Sequence, residues 1–383
     1  MINQEKTYED YFRELLNTFD IVSVDIGYGD VKASCGDKRV VFPAVVEVGT
    51  LKNNFESIFG GSTKNDNEVD IENMCIEYNK VTYLVGQAAI REKGAEHRLE
   101  TDRKNARTML LLNTAIQLVT EGSNKPVILS TGLPLSFFEE EQSALKQYIE
   151  NKENQQPLKW LSGANVGQTI KTDIHKALVF PQGASAIFTA LNNHEGRMNY
   201  PKMMFKRSLI ALIDIGYRTT DFMVVELDER MTPKPSANLS DSIANIGISN
   251  FHDKLIEVFK AETGASSIPS NIMENLLDDG QVYFNKKHYD FNEAIVEIKN
   301  DLASKIYNDI FNKWRDNIGF FSGIFLVGGG SILLQESLQA QFKEQDIIRI
   351  KEAQFANVIG YSRLSKAILR NNAQTILQGM NGK

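Results

Sequence analysis

The sequence predicts an α/β protein built from two similar domains, and a repeated motif is the main reason. An apolar strand ending in Asp-Ile-Gly-Tyr occupies residues 21–28 and recurs at residues 209–217. In both copies a short polar turn and a second apolar segment follow, which is typical of a β-hairpin with glycine in its turn. Strand-like and helix-like segments mix through the rest of the chain, and 383 residues are enough for two hydrophobic cores.

The composition excludes several classes of protein. A net charge of −7 argues against direct binding of nucleic acid, because neutralising phosphates requires clustered lysine and arginine. The two cysteines, Cys35 and Cys75, have neither metal-site nor redox spacing, so the expected location is the reducing cytoplasm. No uncharged run reaches the roughly 18 residues of a membrane span, so no membrane contact is expected.

Residues 1–20 are predicted to be an N-terminal helical extension. Apolar residues recur there at helical spacing and form one stripe: Tyr8, Tyr11, Phe12, Leu15, Leu16 and Phe19. Packing on the protein's own first domain is the favoured interpretation, and a subunit contact is an alternative. A membrane-surface helix is disfavoured, because acidic residues outnumber basic ones on the polar face.

The first domain is expected over residues 21–190. A small subdomain is predicted at about 45–100, and the C-terminal helix, about 362–383, is expected to return to this domain. Further along, the pattern predicts the following elements: a hairpin over Met74–Tyr78 and Val81–Val85, helices near 101–120 and 137–151, and strands near 127–131 and 174–180.

The second domain is expected over residues 191–361 and repeats the same order of elements. A hairpin over 208–227 is followed by a helix from about 249 to 262 and a long amphipathic helix over about 292–315. A buried strand then ends in Gly328-Gly329-Gly330. Residues 358–361 are predicted to lead into the terminal helix.

The first hairpin has the parts of a phosphate site. Gly27 and Gly29 allow a tight turn and a close approach of the backbone, and consecutive N–H groups in such a turn bind phosphate oxygens. Lys32 is placed to reach back as a positive point charge. Asp25 would repel a phosphate unless a hydrated Mg²⁺ lies between them, and Mg²⁺ characteristically keeps several waters.

The second hairpin has equivalent parts with different polar side chains. Asp214 again ends the strand, Gly216 allows the turn, and Thr219 and Thr220 add hydroxyl groups. Asp221 takes the position that Lys32 holds in the first copy. One such hairpin alone would be an ordinary glycine turn, but two identical Asp-Ile-Gly-Tyr copies favour a shared ligand. The chain has no other phosphate-loop motif, and the Gly328–Gly330 run fails the dinucleotide pattern.

Five short motifs, in this order, resemble the actin/Hsp70/sugar-kinase superfamily. They are Asp25-x-Gly27-x4-Lys32, Pro181-Gln182, Asp214-x-Gly216-x4-Asp221, Leu326-Val327-Gly328-Gly329-Gly330 and Ile359-Gly360-Tyr361. The length of the chain and the sequences around these motifs are most similar to those of the prokaryotic plasmid-segregation actins of the ParM/Alp group and of archaeal actin-like proteins. The resemblance implies the actin-like fold, a duplicated ribonuclease H-like pair of domains with the nucleotide in the interdomain cleft.

The resemblance also implies roles for individual residues. Asp25 and Asp214 would be catalytic and hold Mg²⁺ through water, and Gln182 would orient the attacking water. The implied nucleotide-binding residues are Gly27, Tyr28, Gly29, Asp30, Lys32, Gly216, Tyr217, Arg218, Thr219, Thr220, Gly247, Gly328, Gly329 and Gly330. Two alternatives stay open: Gln182 as a helix-start residue bonded to backbone, and Gly247 as a simple helix-entry glycine.

The implied function is an Mg²⁺-dependent ATPase that binds ATP and ADP and polymerises with copies of itself into filaments. Segregation of plasmid or other DNA through a DNA-binding adaptor protein is the expected task. The alternatives are a nucleotide-binding scaffold for division or pilus machinery and a small-molecule kinase. An Hsp70 chaperone is disfavoured, because the chain ends soon after residue 361 and leaves no substrate-binding domain.

Overall fold

The computed structural model describes residues 6–51, 70–93, 104–191, 193–194, 197 and 206–381. The chain divides into two compact units, Met1–Tyr200 with Phe355–Lys383, and Pro201–Gln354. Residues 355–361 therefore group with the first unit, whereas the sequence analysis placed them in the second domain. The physical reason is that the terminal helix begins at Ala356, earlier than predicted, so that residues 358–361 are its first turns.

The elements in chain order are as follows. The helices are α1 (Tyr8–Thr18), α2 (Gln87–Lys93), α3 (Ala106–Thr120), α4 (Leu135–Glu150), α5 (Ile187–Leu191), α6 (Ile248–Thr263), α7 (Ser270–Asp279), α8 (Asn292–Trp314), α9 (Gly330–Gln341) and α10 (Ala356–Asn381). The strands are β1 (Asp20–Ile26), β2 (Asp30–Cys35), β3 (Lys38–Pro43), β4 (Val46–Val48), β5 (Cys75–Tyr78), β6 (Val81–Val85), β7 (Val127–Leu133), β8 (Leu158–Ser162), β9 (Thr169–Ile170), β10 (Ile174–Pro181), β11 (Leu209–Ile215), β12 (Thr220–Leu227), β13 (Pro233–Pro235), β14 (Asp241–Ile243), β15 (Gln281–Phe284), β16 (Lys287–Asp290), β17 (Phe321–Val327) and β18 (Ile347–Arg349).

The main sheet of the first unit has the order β10-β7-β1-β2-β3. β1 is antiparallel to β2 and parallel to β7, and β7 is parallel to β10. Successive side chains of β1 point to opposite faces of the sheet. Val22 and Val24 accordingly belong to the core that includes α3, and Ile21 belongs to the core that includes α10. The sheet is thus covered by helices on both faces.

The main sheet of the second unit repeats this connectivity. Its order is β13-β12-β11-β17-β18, with β14 also paired to β12. β11 is antiparallel to β12 and parallel to β17, and β17 is parallel to β18. Helix α8 buries Leu302, Ile306 and Trp314 in the core of this unit. The repeated motif of the sequence is therefore part of a duplicated sheet, which confirms the predicted fold class.

A second sheet in the first unit has the order β4-β6-β5-β8-β9. The predicted hairpin over β5 and β6 is present, and Asn79 and Lys80 form its turn with φ values of 51° and 64°. Two of the five strands, β8 and β9, come from outside the predicted subdomain range of 45–100. Residues 52–69 and 94–100 of that range lie outside the described part of the chain.

Helix α1 packs on its own unit, as the favoured interpretation of residues 1–20 proposed. Thr7 and Asp10 form a capping box at its start. Phe12 and Leu15 are buried in a cluster that α10 completes with Leu369, Ala373, Ile376 and Leu377. The apolar stripe is narrower than predicted, because Tyr8 is 73% exposed.

Candidate functional site

The first hairpin connects β1 to β2 through a turn closed by backbone. The Gly27 N–H donates to the Asp30 carbonyl at 2.9 Å, and a Cβ at position 27 would lie 3.0 Å from that same oxygen. The Gly29 carbonyl accepts from the Ala44 N–H at 2.8 Å, which fixes the other side of the turn. Asp25 pairs with Lys32 in the register and is only 6% exposed. A side chain at position 27 would therefore crowd the turn that holds Asp25 in place.

The second hairpin, between β11 and β12, has the same geometry. The Gly216 N–H donates to the Thr219 carbonyl at 2.9 Å, and a Cβ at position 216 would lie 3.1 Å from that oxygen. Asp214 pairs with Asp221 in the register, so Asp221 does occupy the position that Lys32 holds in the first copy. Burial raises the pKa of Asp221, and a hydrogen bond with Ser242 opposes this rise. The two hairpins are equivalent in backbone and differ in charge.

Gln182 and Asp25 are brought together although they are far apart in the chain. The Gln182 Nε2 donates to Asp25 Oδ1 at 2.7 Å, and the Gln182 backbone N–H donates to the Leu133 carbonyl at 2.8 Å. With Nε2 engaged in this way, Oε1 is the amide atom that remains to accept a hydrogen bond. Gly183 follows with a φ of 71° and turns the chain into a short 3₁₀ helix over Ala184–Ala186.

Tyr361 also contacts Asp25, and the sequence analysis did not predict this contact. Its hydroxyl lies 3.4 Å from Asp25 Oδ1, and its ring stacks on Phe180 with centroids 5.9 Å apart. A Cβ at Gly132 would lie 1.9 Å from the Tyr361 hydroxyl oxygen. The sequence marked Tyr361 only as part of the Ile359-Gly360-Tyr361 motif. That motif predicts a connection between segments, and it does not reveal that the hydroxyl group contacts Asp25.

The glycine run after β17 packs beside Asp214 and Ile215. Gly328 has a φ of 83°, and a Cβ there would lie 2.4 Å from Asp214 Oδ1 and 2.4 Å from the Ile215 carbonyl oxygen. A Cβ at Gly330 would lie 2.4 Å from a methyl carbon of Ile215, whereas nothing lies within 4 Å of the Cβ position of Gly329. The three glycines thus have different roles: two allow close packing, and Gly329 leaves open space beside the backbone.

Gly247 packs directly on the second turn. A Cβ at position 247 would lie 2.6 Å from the Tyr217 carbonyl oxygen, and the Ser249 N–H donates to that oxygen at 2.7 Å. This close approach is a structural reason for glycine at the start of α6. Thr220 is fully buried and its hydroxyl donates to the Ile246 carbonyl at 2.9 Å, so this hydroxyl is used within the protein.

The described residues form no multi-ligand metal cluster. No group of three or more His, Cys, Asp or Glu side chains that could hold a metal occurs among the described residues. Mg²⁺ differs from calcium and zinc in keeping most of its waters and accepting one or two protein carboxylates. A single carboxylate such as that of Asp25 or Asp214 has the chemistry that a water-mediated Mg²⁺ ion requires, whereas no metal cage made of side chains occurs in the described part of the chain.

None of the helices within the described ranges combines the length and the apolar character that a bilayer span requires.

Two family models match consecutive parts of the chain. The N-terminal domain of actin-like proteins matches residues 23–184, and the C-terminal domain of MreB-like archaeal actin homologues matches residues 212–340. Together with the duplicated sheets and hairpins, these matches show that the chain is an actin-like protein. Within that family it is related to the ParM proteins and the archaeal actins, as the sequence motifs predicted.

One sequence relative and two solved structures are similar to this chain over nearly their whole lengths, and the two structures show that the fold is shared. An archaeal actin homologue from Thermoplasma acidophilum is 29% identical over 356 residues, which cover 89% of this chain and 97% of the relative. A 15-stranded ParM filament from Clostridium botulinum is 24% identical, with a TM-score of 0.77 and coverage of 91% and 99%. The archaeal actin homologue Ta0583 in complex with ADP is 23% identical, with a TM-score of 0.70 and coverage of 91% and 100%.

Proposed function

We propose that this protein is an Mg²⁺-dependent ATPase that polymerises into actin-like filaments. The observation that carries the proposal is the duplicated hairpin, in which Gly27 and Gly216 close identical turns beside Asp25 and Asp214. A turn of this kind presents consecutive N–H groups, which bind phosphate oxygens. Each hairpin is proposed to bind phosphate oxygens of ATP.

The residues around Asp25 have distinct roles in the proposed hydrolysis. Asp25 and Asp214 hold Mg²⁺ through its water ligands, and the bound ion supplies neutralisation of the phosphate charge. Gln182 accepts a hydrogen bond from the attacking water at Oε1, because its Nε2 is held by Asp25. An amide is too weak a base to take the proton, so Gln182 contributes orientation.

The remaining predicted residues fall into two groups in this proposal. Backbone groups of the turns contact the phosphates, and these turns contain Tyr28, Gly29, Asp30, Tyr217, Arg218 and Thr219. Lys32 adds a positive charge on the first side only. Gly329 borders the base and ribose, because the space beside it is open. Gly328, Gly330 and Gly247 act through close packing of backbone.

Self-assembly into filaments is the second part of the proposal. A ParM filament from Clostridium botulinum is among the similar structures, and the similar protein Ta0583 binds ADP. In the proposed cycle, assembly into filaments depends on the bound nucleotide. Segregation of plasmid or other DNA through an adaptor protein is the task we propose for the filament, since a sequence pI near 5.5 disfavours direct contact with DNA.

Binding and assembly can be tested together with one matched pair of variants. We expect Asp214→Asn to abolish ATP-dependent light scattering and sedimentation and to lower phosphate release by at least about a hundredfold. Asp278→Asn, which changes an exposed carboxylate on α7, is the control and should behave as the wild type. Calorimetric titration should give one nucleotide per chain, and electron microscopy should show filaments with ATP.

Three outcomes of these experiments would contradict the proposal in different ways. A strictly monomeric wild-type protein at high concentration with ATP and Mg²⁺ would exclude the filament. Filaments without phosphate release would instead favour a scaffold. Two nucleotides per chain would mean that the hairpins act as separate sites.

A further inference from the structure

We propose that Tyr361 is a positioning residue for Asp25, and that Gly132 is glycine in order to admit its hydroxyl group. The proposal rests on the proposed ATPase function and adds a residue on the terminal helix to its machinery. Four features of the first unit support it.

The first feature is the pair of donors on one carboxylate oxygen. Gln182 Nε2 lies 2.7 Å and the Tyr361 hydroxyl 3.4 Å from Asp25 Oδ1. Within the described residues, both hydrogen bonds to the Asp25 carboxylate end on this one atom. Oδ2 is therefore the oxygen left for a ligand. Two donors on Oδ1 fix the rotation of the carboxylate about its Cβ–Cγ bond, which a single donor leaves loose.

The second feature is the space above Gly132. A Cβ at position 132 would lie 1.9 Å from the Tyr361 hydroxyl oxygen, 2.5 Å from its Cζ and 3.0 Å from Gln182 Cγ. Gly132 has no positive φ that would by itself require glycine. The requirement therefore comes from the Tyr361 and Gln182 side chains. Any other residue in this position of β7 would push both donors away from Asp25.

The third feature is the rigid environment of the tyrosine ring. Tyr361 is fully buried, and its ring stacks nearly parallel on Phe180, with an interplanar angle of 15°. Phe180 lies on β10, two residues before Gln182. The stacking thus ties the tyrosine to the same segment that presents the glutamine.

The fourth feature is the attachment of the first turns of α10 to that segment. The Gly183 N–H donates to Asn357 Oδ1 at 2.9 Å, and the Thr189 hydroxyl donates to the Ala356 carbonyl at 2.7 Å. A Cβ at Gly360 would lie 1.9 Å from the Ser185 carbonyl oxygen, so the helix contacts the backbone here. Gln182 and Tyr361 therefore approach Asp25 as one rigid assembly.

The expected chemical effect is on turnover more than on binding. A loosened Asp25 still carries its charge, so nucleotide still binds, but Oδ2 no longer holds the water ligands of Mg²⁺ in one place. The 3.4 Å separation is long for a hydroxyl donor, so this hydrogen bond is weaker than the one from Gln182, and hydrogen bonds of this length at such sites commonly shorten in the substrate complex. Removing the hydroxyl should therefore lower kcat more than it raises KM.

The test compares Tyr361→Phe with Tyr78→Phe in the full-length protein. Tyr78 is also buried in the first unit, and its hydroxyl donates to the Asn154 carbonyl at 3.3 Å, so this control removes a similar hydrogen bond away from Asp25. We expect Tyr361→Phe to lower kcat about tenfold and to raise KM by no more than about a few-fold, since a hydrogen bond to a charged group is the stronger kind. Tyr78→Phe should keep the wild-type kcat.

A second readout does not depend on turnover. The affinity for fluorescent ADP is measured with Mg²⁺ and with a chelator, and the ratio of the two affinities should fall several-fold in Tyr361→Phe. Gly132→Ala, which keeps the hydroxyl but displaces it, should reproduce both effects. Wild-type values of kcat and of the affinity ratio in Tyr361→Phe, or equal changes in Tyr78→Phe, would overturn the positioning role. A wild-type protein that binds no nucleotide would overturn both the proposed function and this inference.

Discussion

Gly328 and Gly329 are neighbours in the chain, but a side chain fits only at position 329. Position 328 has a φ of 83° and a Cβ position 2.4 Å from Asp214 Oδ1, whereas the Cβ position of residue 329 has no neighbour within 4 Å. We expect Gly328→Ala to lower the free energy of unfolding by roughly 1–3 kcal/mol, because it combines a strained backbone with a collision. It should also displace Asp214 and weaken nucleotide binding. Gly329→Ala is the matched control and should leave the folded structure intact.

Thermal unfolding and titration with fluorescent ADP measure these two effects. Equal unfolding temperatures for the two alanine variants would contradict the role assigned to Gly328. A loss of ADP binding in Gly329→Ala with unchanged stability would instead support the proposal that the open space there borders the nucleotide.

Individual residues differ in how well the sequence predicts them. Asp25, Asp214 and their turn glycines carry a local signal, since strand, carboxylate and glycine are consecutive and occur twice. The contact between Tyr361 and Gly132 carries no such local signal, although Tyr361 belongs to a recognised motif. Their contact depends on a helix more than 200 residues away in the chain folding back onto β7, and no spacing rule encodes it. Thr220 differs from Tyr361, because the sequence predicted Thr220 as a nucleotide-binding residue. In the structure the Thr220 hydroxyl donates to the Ile246 carbonyl.

Among the elements, α1 offers the clearest contrast between neighbouring side chains. Leu15 is fully buried against α10, whereas Leu16 is 36% exposed. We expect Leu15→Ala to lower the free energy of unfolding by about 2–5 kcal/mol, the usual range for a leucine lost from a packed core. Leu16→Ala should cost much less. Chemical unfolding of the two variants gives the free energies, and limited proteolysis near α1 shows whether the helix has come away.

An equal loss in both leucine variants would contradict the packing of α1 on α10. Earlier cleavage near α1 in Leu15→Ala, with the rest of the chain still protected, would show that α1 can detach while the unit stays folded.

Element boundaries were predicted least well where tertiary packing decides them. The start of α10 was expected at about residue 362, after the segment 358–361. The structure continues the helix through Gly360, since this glycine is needed for contact with the Ser185 backbone. Likewise, β8 and β9 join the small sheet from a distant part of the chain, which a contiguous subdomain range could not include. Local hairpins such as β5–β6, in contrast, were predicted closely.

For the molecule as a whole, the two units differ in the continuity of their chain. The second unit is one stretch, Pro201–Gln354, with its own core around Phe251, Leu302 and Trp314. We expect a fragment of residues 206–354 to fold alone, with a cooperative thermal transition and dispersed amide resonances. A fragment of residues 6–191 should lack both properties, because α10 completes its unit. A molten 206–354 fragment would contradict this independence.

The first unit is built from two separate stretches of the chain, and this also sets the order in which the units can fold during synthesis on the ribosome. Translation places β1 among the first elements and α10 last, yet the two belong to one layer of packing. Residues 206–354 are therefore complete before the unit that precedes them, which reverses the usual N-terminal-first order. Until α10 emerges, Ile21 and Ile128 lack the four apolar side chains that this helix adds to their cluster. A stop codon before position 356 would thus remove a face of the first unit and the Tyr361 hydroxyl together.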